Sequence, residues 1–275
     1  MDTNRTLAES RTASKKGYVP VNGISMYFEI HGVGKPLVLV HGGGSTIETS
    51  FSTILPMLAK DYMVIAVELQ GHGHTSDRDA PESFEQDADD VAALCRTLSV
   101  DKASFLGFSN GGNTCMRIAM RHPELVDKLV IISAFYKREG MVEGFFEGMK
   151  YATLENMPQL LKDYYLKINN DESGLVSMFT KDRQRMMRFE DWGDEELRWI
   201  KAPTLFICGD RDVVRNEHTV KMSRLVPASR LAIIPGNHGS FIGEVCSVEE
   251  GSSVPVMTVK MIIEFLNKTV ADEKE

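Results

Sequence analysis

One serine in this sequence has neighbours suited to covalent chemistry. Ser109 lies in Gly107-Phe108-Ser109-Asn110-Gly111-Gly112, directly after a predicted strand and directly before a predicted helix. This segment has the form G-x-S-x-G, in which small residues on both sides allow a tight turn that exposes the hydroxyl group. Such a hydroxyl can attack a carbonyl carbon if a neighbouring base removes its proton. The segment therefore predicts Ser109 as a nucleophile.

A histidine must lie beside this serine to act as its general base. Of the seven histidines, only His238 follows a late predicted strand, in Pro235-Gly236-Asn237-His238-Gly239, where a loop can reach back over the edge of a sheet. His31 and His122 fall at the ends of predicted elements, and His218 is expected on an exposed helix face. We therefore predict His238 as the base.

An acidic side chain must orient this base. Asp210 and Asp212 compete for the role in Gly209-Asp210-Arg211-Asp212, which follows the predicted strand Thr204–Cys208. Asp210 is nearer to the strand end and could cap a turn, whereas Asp212 is further out on the loop. The loop after the preceding strand offers only Glu139. From the residues alone, the two aspartates are equally suited.

An oxyanion that forms during such a reaction needs two backbone N–H groups aimed at one point. Asn110, directly after the nucleophile, supplies one of them in a G-x-S-x-G turn. The second is predicted at Gly43 in His41-Gly42-Gly43-Gly44, where the lack of side chains lets a carbonyl oxygen approach the backbone.

Metal and cofactor chemistry is not indicated. His72 and His74 have the H-x-H spacing of a metal pair, but no third ligand is in view, so a structural turn is the preferred interpretation. No two cysteines have C-x-x-C spacing. We expect neither a metal nor a cofactor.

Alternating strands and helices are needed to bring these distant residues together. Short apolar runs predict strands at Tyr18–Val21, Ile24–His31, Pro36–Val40, Met63–Glu68, Ser104–Phe108, Leu129–Ser133, Thr204–Cys208 and Leu231–Ile234. The first two are joined by Asn22-Gly23, which is typical of a hairpin. Consecutive apolar residues suit strands that are buried on both faces of a mainly parallel sheet. Helical periodicity between the runs completes an α/β fold with helices on both faces.

The stretch from residue 137 to residue 200 contains no strand candidate. Its helical pieces are expected to be interrupted at Pro158 and Gly174. We interpret it as a helical lid inserted into a core that comprises residues 17–136 and 201–275.

The lid is expected to close an apolar pocket, poor in charges, over Ser109. It is rich in methionine and aromatic residues, and a lid helix must bury one face over the mouth of the pocket. We predict that Phe145, Phe146 and Met149 line this pocket and bind the substrate.

Composition and charge are ordinary for a globular protein and argue against some partners. Of the 275 residues 43% are hydrophobic and 25% are charged, and the net charge is −8. This charge disfavours nucleic acid, whose phosphates need a positive face. No apolar run reaches the ~18 residues of a membrane span. The four cysteines lie in apolar stretches and predict buried, reduced thiols in a cytoplasmic protein.

Residues 1–16 are polar, and we expect them to form a disordered tail. They also lack the apolar stretch of a signal peptide. The expected partner of the folded part is a small-molecule substrate.

The order nucleophile, acid and base, together with His41-Gly42-Gly43-Gly44 upstream, resembles the α/β-hydrolase superfamily from Tyr18 to Leu266. The segment 68–76 is similar to a structural turn after the fourth strand of that superfamily. The resemblance implies the α/β-hydrolase fold with a lid. It also selects Asp212 over Asp210, because members with a G-x-x-D turn here use the last residue.

Within the superfamily, the segment around Ser109 is similar to that of haloperoxidase-like esterases and of meta-cleavage C–C hydrolases. Asn110 replaces the methionine found in both groups, and Gly239 replaces the tryptophan that usually follows the histidine in the C–C hydrolases. The resemblance therefore favours hydrolysis of a small apolar ester or lactone through an acyl-enzyme on Ser109.

Two alternatives remain open. One is C–C cleavage of a vinylogous diketo acid, for which an arginine among Arg183, Arg185 and Arg188 could pair with a substrate carboxylate. The other is a small-molecule receptor that retains the three residues, as some relatives in the superfamily do.

Overall fold

The computed structural model describes residues 15–268. Within these residues eight strands form one sheet, namely β1 (Lys15–Val21), β2 (Ile24–His31), β3 (Lys35–Val40), β4 (Tyr62–Val67), β5 (Ala103–Phe108), β6 (Val126–Ile132), β7 (Thr204–Gly209) and β8 (Ser229–Ile234). Their order is β1-β2-β4-β3-β5-β6-β7-β8. The pairs β1–β2 and β2–β4 are antiparallel, and all other pairs are parallel. The predicted mostly parallel, eight-stranded sheet is confirmed.

The central strands are buried on both faces, as their continuous apolar sequences predict. Along β3, Val38 and Val40 face one apolar core, whereas Leu37 and Leu39 face the other. All four side chains are fully buried. This two-sided burial keeps the strands rigid up to their carboxyl ends, where the loops that carry the candidate site begin.

Ten α-helices surround the sheet in the described part of the chain. They are α1 (Ile47–Phe51), α2 (Leu55–Leu58), α3 (Phe84–Thr97), α4 (Asn110–Arg121), α5 (Phe145–Tyr151), α6 (Gln159–Asn169), α7 (Glu172–Met187), α8 (Asp194–Arg198), α9 (Asn216–Leu225) and α10 (Val254–Asn267). Helices α3 and α4 pack on one face, and α1, α2 and α10 pack on the other. At the start of α3, Ser83 Oγ accepts a hydrogen bond of 3.1 Å from the backbone of Gln86, which caps the helix.

Residues 137–200, here called the lid segment, connect β6 to β7 through helices α5 to α8. Met157, Tyr165, Leu175 and Met178 form an apolar cluster inside the segment. Helix α6 begins after Pro158, as expected. The interruption expected at Gly174 is wrong, because this residue lies inside α7, whose first turn is capped by Asp171.

Three further expectations need correction. Lys15 and Lys16, assigned to a disordered tail, belong to β1, whereas residues 1–14 and 269–275 lie outside the described residues. Cys246 is exposed, although the other three cysteines are buried. His218 is buried, and its Nε2 accepts a hydrogen bond of 3.2 Å from the backbone of Tyr136.

Strand β8 forms one edge of the sheet, because β7 is its only partner strand among the described residues. Leu231 and Ile233 are 38% and 43% exposed, whereas every residue of β7 is buried. Separately, none of the helices between residues 15 and 268 is long and apolar enough to cross a membrane.

Candidate active site

Ser109 occupies a strained turn between β5 and α4. Its φ is +54° and its ψ is −125°, a conformation that residues with a side chain rarely adopt. The Ser109 backbone N–H is held by Ile132 O at 2.8 Å. A Cβ at Gly107 would collide with the carbonyl oxygen of Gly111, and one at Gly111 would collide with that of Val40. The two glycines therefore permit the close backbone approach that exposes the Ser109 hydroxyl.

Loops after β7 and β8 bring an acid and a base to this hydroxyl. His238 Nε2 lies 3.1 Å from Ser109 Oγ, and His238 Nδ1 lies 2.7 Å from Asp212 Oδ1. The ring of Phe108 lies beside the imidazole, with 4.9 Å between centroids. Because the Asp212 carboxylate can only accept a hydrogen bond, His238 carries its proton on Nδ1 and donates it to Asp212, which leaves Nε2 free to accept the serine proton.

The structure separates the two competing aspartates. The Asp212 side chain is fully buried and accepts hydrogen bonds from the backbone of Gly209 and Val214 at 3.3 and 3.2 Å. Burial acts to raise the pKa of Asp212, but hydrogen bonds from His238, Ser133 and Val214 outweigh it and hold the pKa below its usual value. Asp210 instead accepts a bond of 2.8 Å from the backbone of Gly236.

Ser133, at the end of β6, is a residue that sequence reasoning missed. Its hydroxyl donates a hydrogen bond of 2.5 Å to Asp212 Oδ2, and its side chain is buried. Its φ of +53° is a second strained conformation of a non-glycine residue near the site. This strained backbone conformation marks Ser133 as a candidate site residue, but it can be seen only in the structure and not in the sequence.

We expect Ser133→Ala to lower kcat about 10-fold, with KM nearly unchanged, because a hydrogen bond to a charged group contributes roughly 1.5–3 kcal/mol and three other donors remain on Asp212. Loss of this donor should also raise the Asp212 pKa and shift the acidic limb of the kcat profile to higher pH. Steady-state kinetics across the pH range measures both effects.

Ser133→Gly is the matched control for this variant. It also removes the hydroxyl group, but it relieves the strain at positive φ. The two variants should lose similar activity, and the glycine variant should be the more stable. Wild-type activity in Ser133→Gly would show that the hydroxyl group has no positioning role.

Two backbone N–H groups near Ser109 have no acceptor within the described part of the chain. In the loop after β3, the N–H of Gly42 is bonded to Ser50 Oγ and that of Gly44 to His72 Nε2. Within residues 15–268, neither Gly43 nor Asn110 donates its backbone N–H to a protein acceptor. These are the two donors predicted for an oxyanion.

The histidines next to this loop hold its backbone. His41 is fully buried, and burial lowers its pKa to about 3, so the ring is neutral. Its Nδ1 lies 2.7 Å from the carbonyl oxygen of Gly42, and its Nε2 accepts a hydrogen bond from the backbone N–H of Leu69. His72 accepts from Gly44, whereas His74 pairs with Glu68 at 2.9 Å. His72 and His74, the two histidines of the H-x-H pair, thus make separate structural contacts.

The lid residues predicted to bind substrate are half-buried against the core. Phe146 packs on Phe135 and Phe145, with centroid distances of 6.1 and 5.3 Å, and the guanidinium of Arg138 lies 3.8 Å from its ring centroid. The carbonyl oxygen of Met149 accepts a hydrogen bond of 2.8 Å from Arg183. Substrate binding by Phe145, Phe146 and Met149 stays a prediction.

Different lid residues contact the loop after β3. Met157 Cε lies 3.2 Å from the point that a Cβ at Gly44 would occupy. Asp182, on α7, accepts a hydrogen bond of 3.1 Å from the Asn110 side chain. This contact places a lid carboxylate beside Asn110, in a region where the sequence predicts a pocket poor in charges.

Known proteins are similar to this chain in sequence and in fold. A model of the family described as alpha/beta hydrolase fold matches residues 35–175. The human serine hydrolase BPHL is 30% identical over 243 residues, which cover 82% of this chain and 81% of BPHL.

A 2-hydroxy-6-oxo-6-(2'-aminophenyl)hexa-2,4-dienoic acid hydrolase from Metapseudomonas resinovorans is 26% identical over 82% of this chain and 85% of its own length. Among solved structures, the meta-cleavage product hydrolase CumD from Pseudomonas fluorescens superposes with a TM-score of 0.75 at 23% identity. The match covers 94% of this chain and 98% of that one. At this identity the likeness is one of fold.

Proposed function

Because the chain belongs to the α/β-hydrolase fold family, we propose that it is a serine hydrolase that cleaves a small carboxylic ester or lactone. The observation that carries the proposal is the hydrogen-bonded series from Asp212 through His238 to Ser109, with distances of 2.7 and 3.1 Å. A serine activated in this way can form an acyl-enzyme.

The reaction has two halves. Ser109 Oγ attacks the carbonyl carbon of the ester and passes its proton to His238 Nε2, while Asp212 stabilises the imidazolium. The tetrahedral intermediate then expels the alcohol, which receives the proton from His238. Water, deprotonated by His238, attacks the acyl-enzyme and releases the acid, and the proton returns to Ser109.

The free backbone donors support the same reaction. The N–H groups of Gly43 and Asn110 would stabilise the negative charge that develops on the carbonyl oxygen. Such groups are effective because they are already oriented before the reaction begins. In this proposal neither step requires a metal or a cofactor.

C–C cleavage of a diketo acid is the second candidate, and the names of several relatives favour it. It requires a cation for the substrate carboxylate. Arg183 is bonded to carbonyl oxygens of α5, and Arg185 is paired with carboxylates. Arg188 is exposed. The engagement of Arg183 and Arg185 and the exposure of Arg188, together with Gly239 in place of tryptophan, support ester hydrolysis over C–C cleavage.

A substrate panel separates the two candidates. We expect 4-nitrophenyl esters of graded chain length to give a burst of 4-nitrophenol and an acyl adduct on the peptide that contains Ser109, because acylation precedes hydrolysis. Lactones should be opened by the same variants that cleave esters. Ring-fission dienols, followed by loss of their absorbance, serve as the comparison.

Turnover of a dienol with no turnover of any ester or lactone would favour C–C cleavage. An adduct on another residue would contradict both candidates.

A further inference from the structure

The loop of residues 41–44 after β3, here called the oxyanion loop, contains three consecutive glycines. Glycine has the widest choice of backbone conformations, and Gly44 has a φ of +64°. Without outside contacts, such a loop would present the N–H of Gly43 in many directions. A donor to an oxyanion is effective only if it is oriented before the reaction begins. Side chains around the glycines are therefore needed to fix this N–H.

The side chain of His41 fixes the peptide group that carries the N–H of Gly43. Its Nε2 accepts the backbone N–H of Leu69 at 3.0 Å, so its proton is on Nδ1, which lies 2.7 Å from the carbonyl oxygen of Gly42 and donates to it. In a trans peptide group the C=O and N–H bonds share one plane and point in opposite directions. The direction of the Gly42 carbonyl therefore sets the direction of the Gly43 N–H.

The side chain of His72 fixes the next peptide group of the oxyanion loop. Its Nε2 accepts a hydrogen bond of 3.2 Å from the backbone N–H of Gly44, and its Nδ1 lies 2.8 Å from the carbonyl oxygen of Gln70 and donates to it. Both histidines are buried, and their ring centroids are 5.1 Å apart. The two rings thus hold the glycines through opposite nitrogens, Nδ1 in His41 and Nε2 in His72.

We propose that His41 and His72 are positioning residues of the oxyanion site. They hold the peptide groups on both sides of the Gly43 Cα atom, so that the N–H of this residue points at the carbonyl oxygen of the substrate. Their effect on the reaction passes through the backbone. This inference rests on the proposed function, because it assigns two further residues to the same hydrolytic site.

Asparagine and glutamine separate the two nitrogens of each ring. The amide of asparagine lies close to the place of Nδ1, whereas that of glutamine reaches to the place of Nε2, and both amides can donate or accept. His41→Asn can therefore still donate to Gly42, but His41→Gln cannot. His72→Gln can still accept from Gly44, but His72→Asn cannot.

The damaging amide should therefore differ between the two positions. His41→Gln and His72→Asn should lower kcat for phenyl butanoate about 10- to 100-fold with KM nearly unchanged, somewhat less than the loss of a whole oxyanion donor. His41→Asn and His72→Gln should stay within about 3-fold of the wild-type kcat. A role in stability alone would make kcat follow the melting temperature, with no such reversal between the positions.

A tetrahedral mimic isolates the oxyanion from substrate binding. Ser109 Oγ adds to the carbonyl carbon of 1,1,1-trifluoro-2-hexanone, passes its proton to His238 and leaves an alkoxide at the predicted oxyanion site. The ketone 2-hexanone binds without this charge. In the two damaging variants, the inhibition constant of the trifluoro ketone should rise about 10- to 100-fold, and that of 2-hexanone should change little.

His218 provides the matched control. Its Nε2 accepts the backbone N–H of Tyr136 over the same 3.2 Å, also from a buried position. His218→Asn and His218→Gln should therefore leave kcat and both inhibition constants unchanged.

The positioning role is overturned if folded His41→Gln and His72→Asn keep the wild-type kcat and affinity for the trifluoro ketone, or if the same amide is damaging at both positions. If one of them does not fold, the other position decides. If neither folds, amide resonances of the wild-type protein decide. The trifluoro ketone should then move the Gly43 amide proton and leave that of Gly44 in place, whereas a shift of both shows that the loop is not held.

The proposed function fails on different results. Turnover of phenyl butanoate by the wild-type protein keeps ester hydrolysis intact, whatever the histidine variants do. Absence of turnover for every ester, together with no inhibition constant for the trifluoro ketone, overturns the proposed function and the positioning role together.

Discussion

Ser109→Ala is expected to lower kcat for every ester that the protein cleaves by about 10⁴-fold or more, because no other atom can form the acyl-enzyme. Substrate binding and the melting temperature should change little. Serine and alanine both carry a Cβ at the φ of +54°, so the strain of the turn is retained. Steady-state kinetics and thermal unfolding measure the two effects.

Ser99→Ala is the matched control for this variant. Ser99 has a φ of +59° and an exposed side chain at the end of α3. The same substitution in the same backbone conformation should leave kcat unchanged. If Ser109→Ala retained more than about a tenth of wild-type turnover, Ser109 could not be the nucleophile.

Asp212→Asn is the second variant with a large expected effect, a fall in kcat of about 10⁴-fold. The buried carboxylate accepts bonds from His238, Ser133 and two backbone N–H groups. The asparagine amide would place an NH₂ donor in a site whose other groups are the donors of Ser133, Gly209 and Val214 and the ring of His238. If its NH₂ faces His238, it selects the tautomer that carries the proton on Nε2, which cannot accept the proton of Ser109.

Asp210→Asn decides between the two aspartates. Asp210 lies on the same loop, but its carboxylate accepts the backbone N–H of Gly236, a bond that an asparagine oxygen can also accept. The kcat of Asp210→Asn should stay within about 10-fold of the wild-type value. The assignment is wrong if Asp210→Asn is the more damaging variant. The ¹⁵N chemical shifts of His238 report the tautomer in both variants.

The sheet and the serine turn are predictable from sequence because their signals are local. Apolar runs identify each strand, and the residues around Ser109 specify a turn between a strand and a helix within six positions. The positions of His238 and Asp212 follow from a simple rule, since the carboxyl ends of parallel strands share one edge of the sheet. Their catalytic roles are predictions that the variants above test.

The choice between Asp210 and Asp212 required more than local sequence. Both follow β7 within three residues, and only the packing of the loop shows which carboxylate faces His238. The bond from Ser133 to Asp212 spans 79 residues, and the bond from Asn110 to Asp182 spans 72. Neither contact has a sequence signal, because each depends on how separate loops and helices pack.

The contacts of the lid segment are also only partly predictable from the sequence. Its methionine and aromatic residues predict apolar surface, but periodicity does not show which face meets the serine. Met157 contacts Gly44, and the charged cluster around Arg185 lies between the lid segment and α3. A buried cluster of opposite charges has the same sequence pattern as a solvated helix face, so the sequence does not predict its burial.

The edge position of β8 makes the local stability of the candidate site uneven. Ser109 follows a strand that is buried along its whole length, whereas His238 follows the half-exposed edge strand, which among the described residues has β7 as its single partner strand. Segments with few buried contacts open at lower free energy than the core. Small local openings can therefore remove the base while the nucleophile turn stays folded, and the fraction of competent molecules depends on the sheet edge rather than on global unfolding.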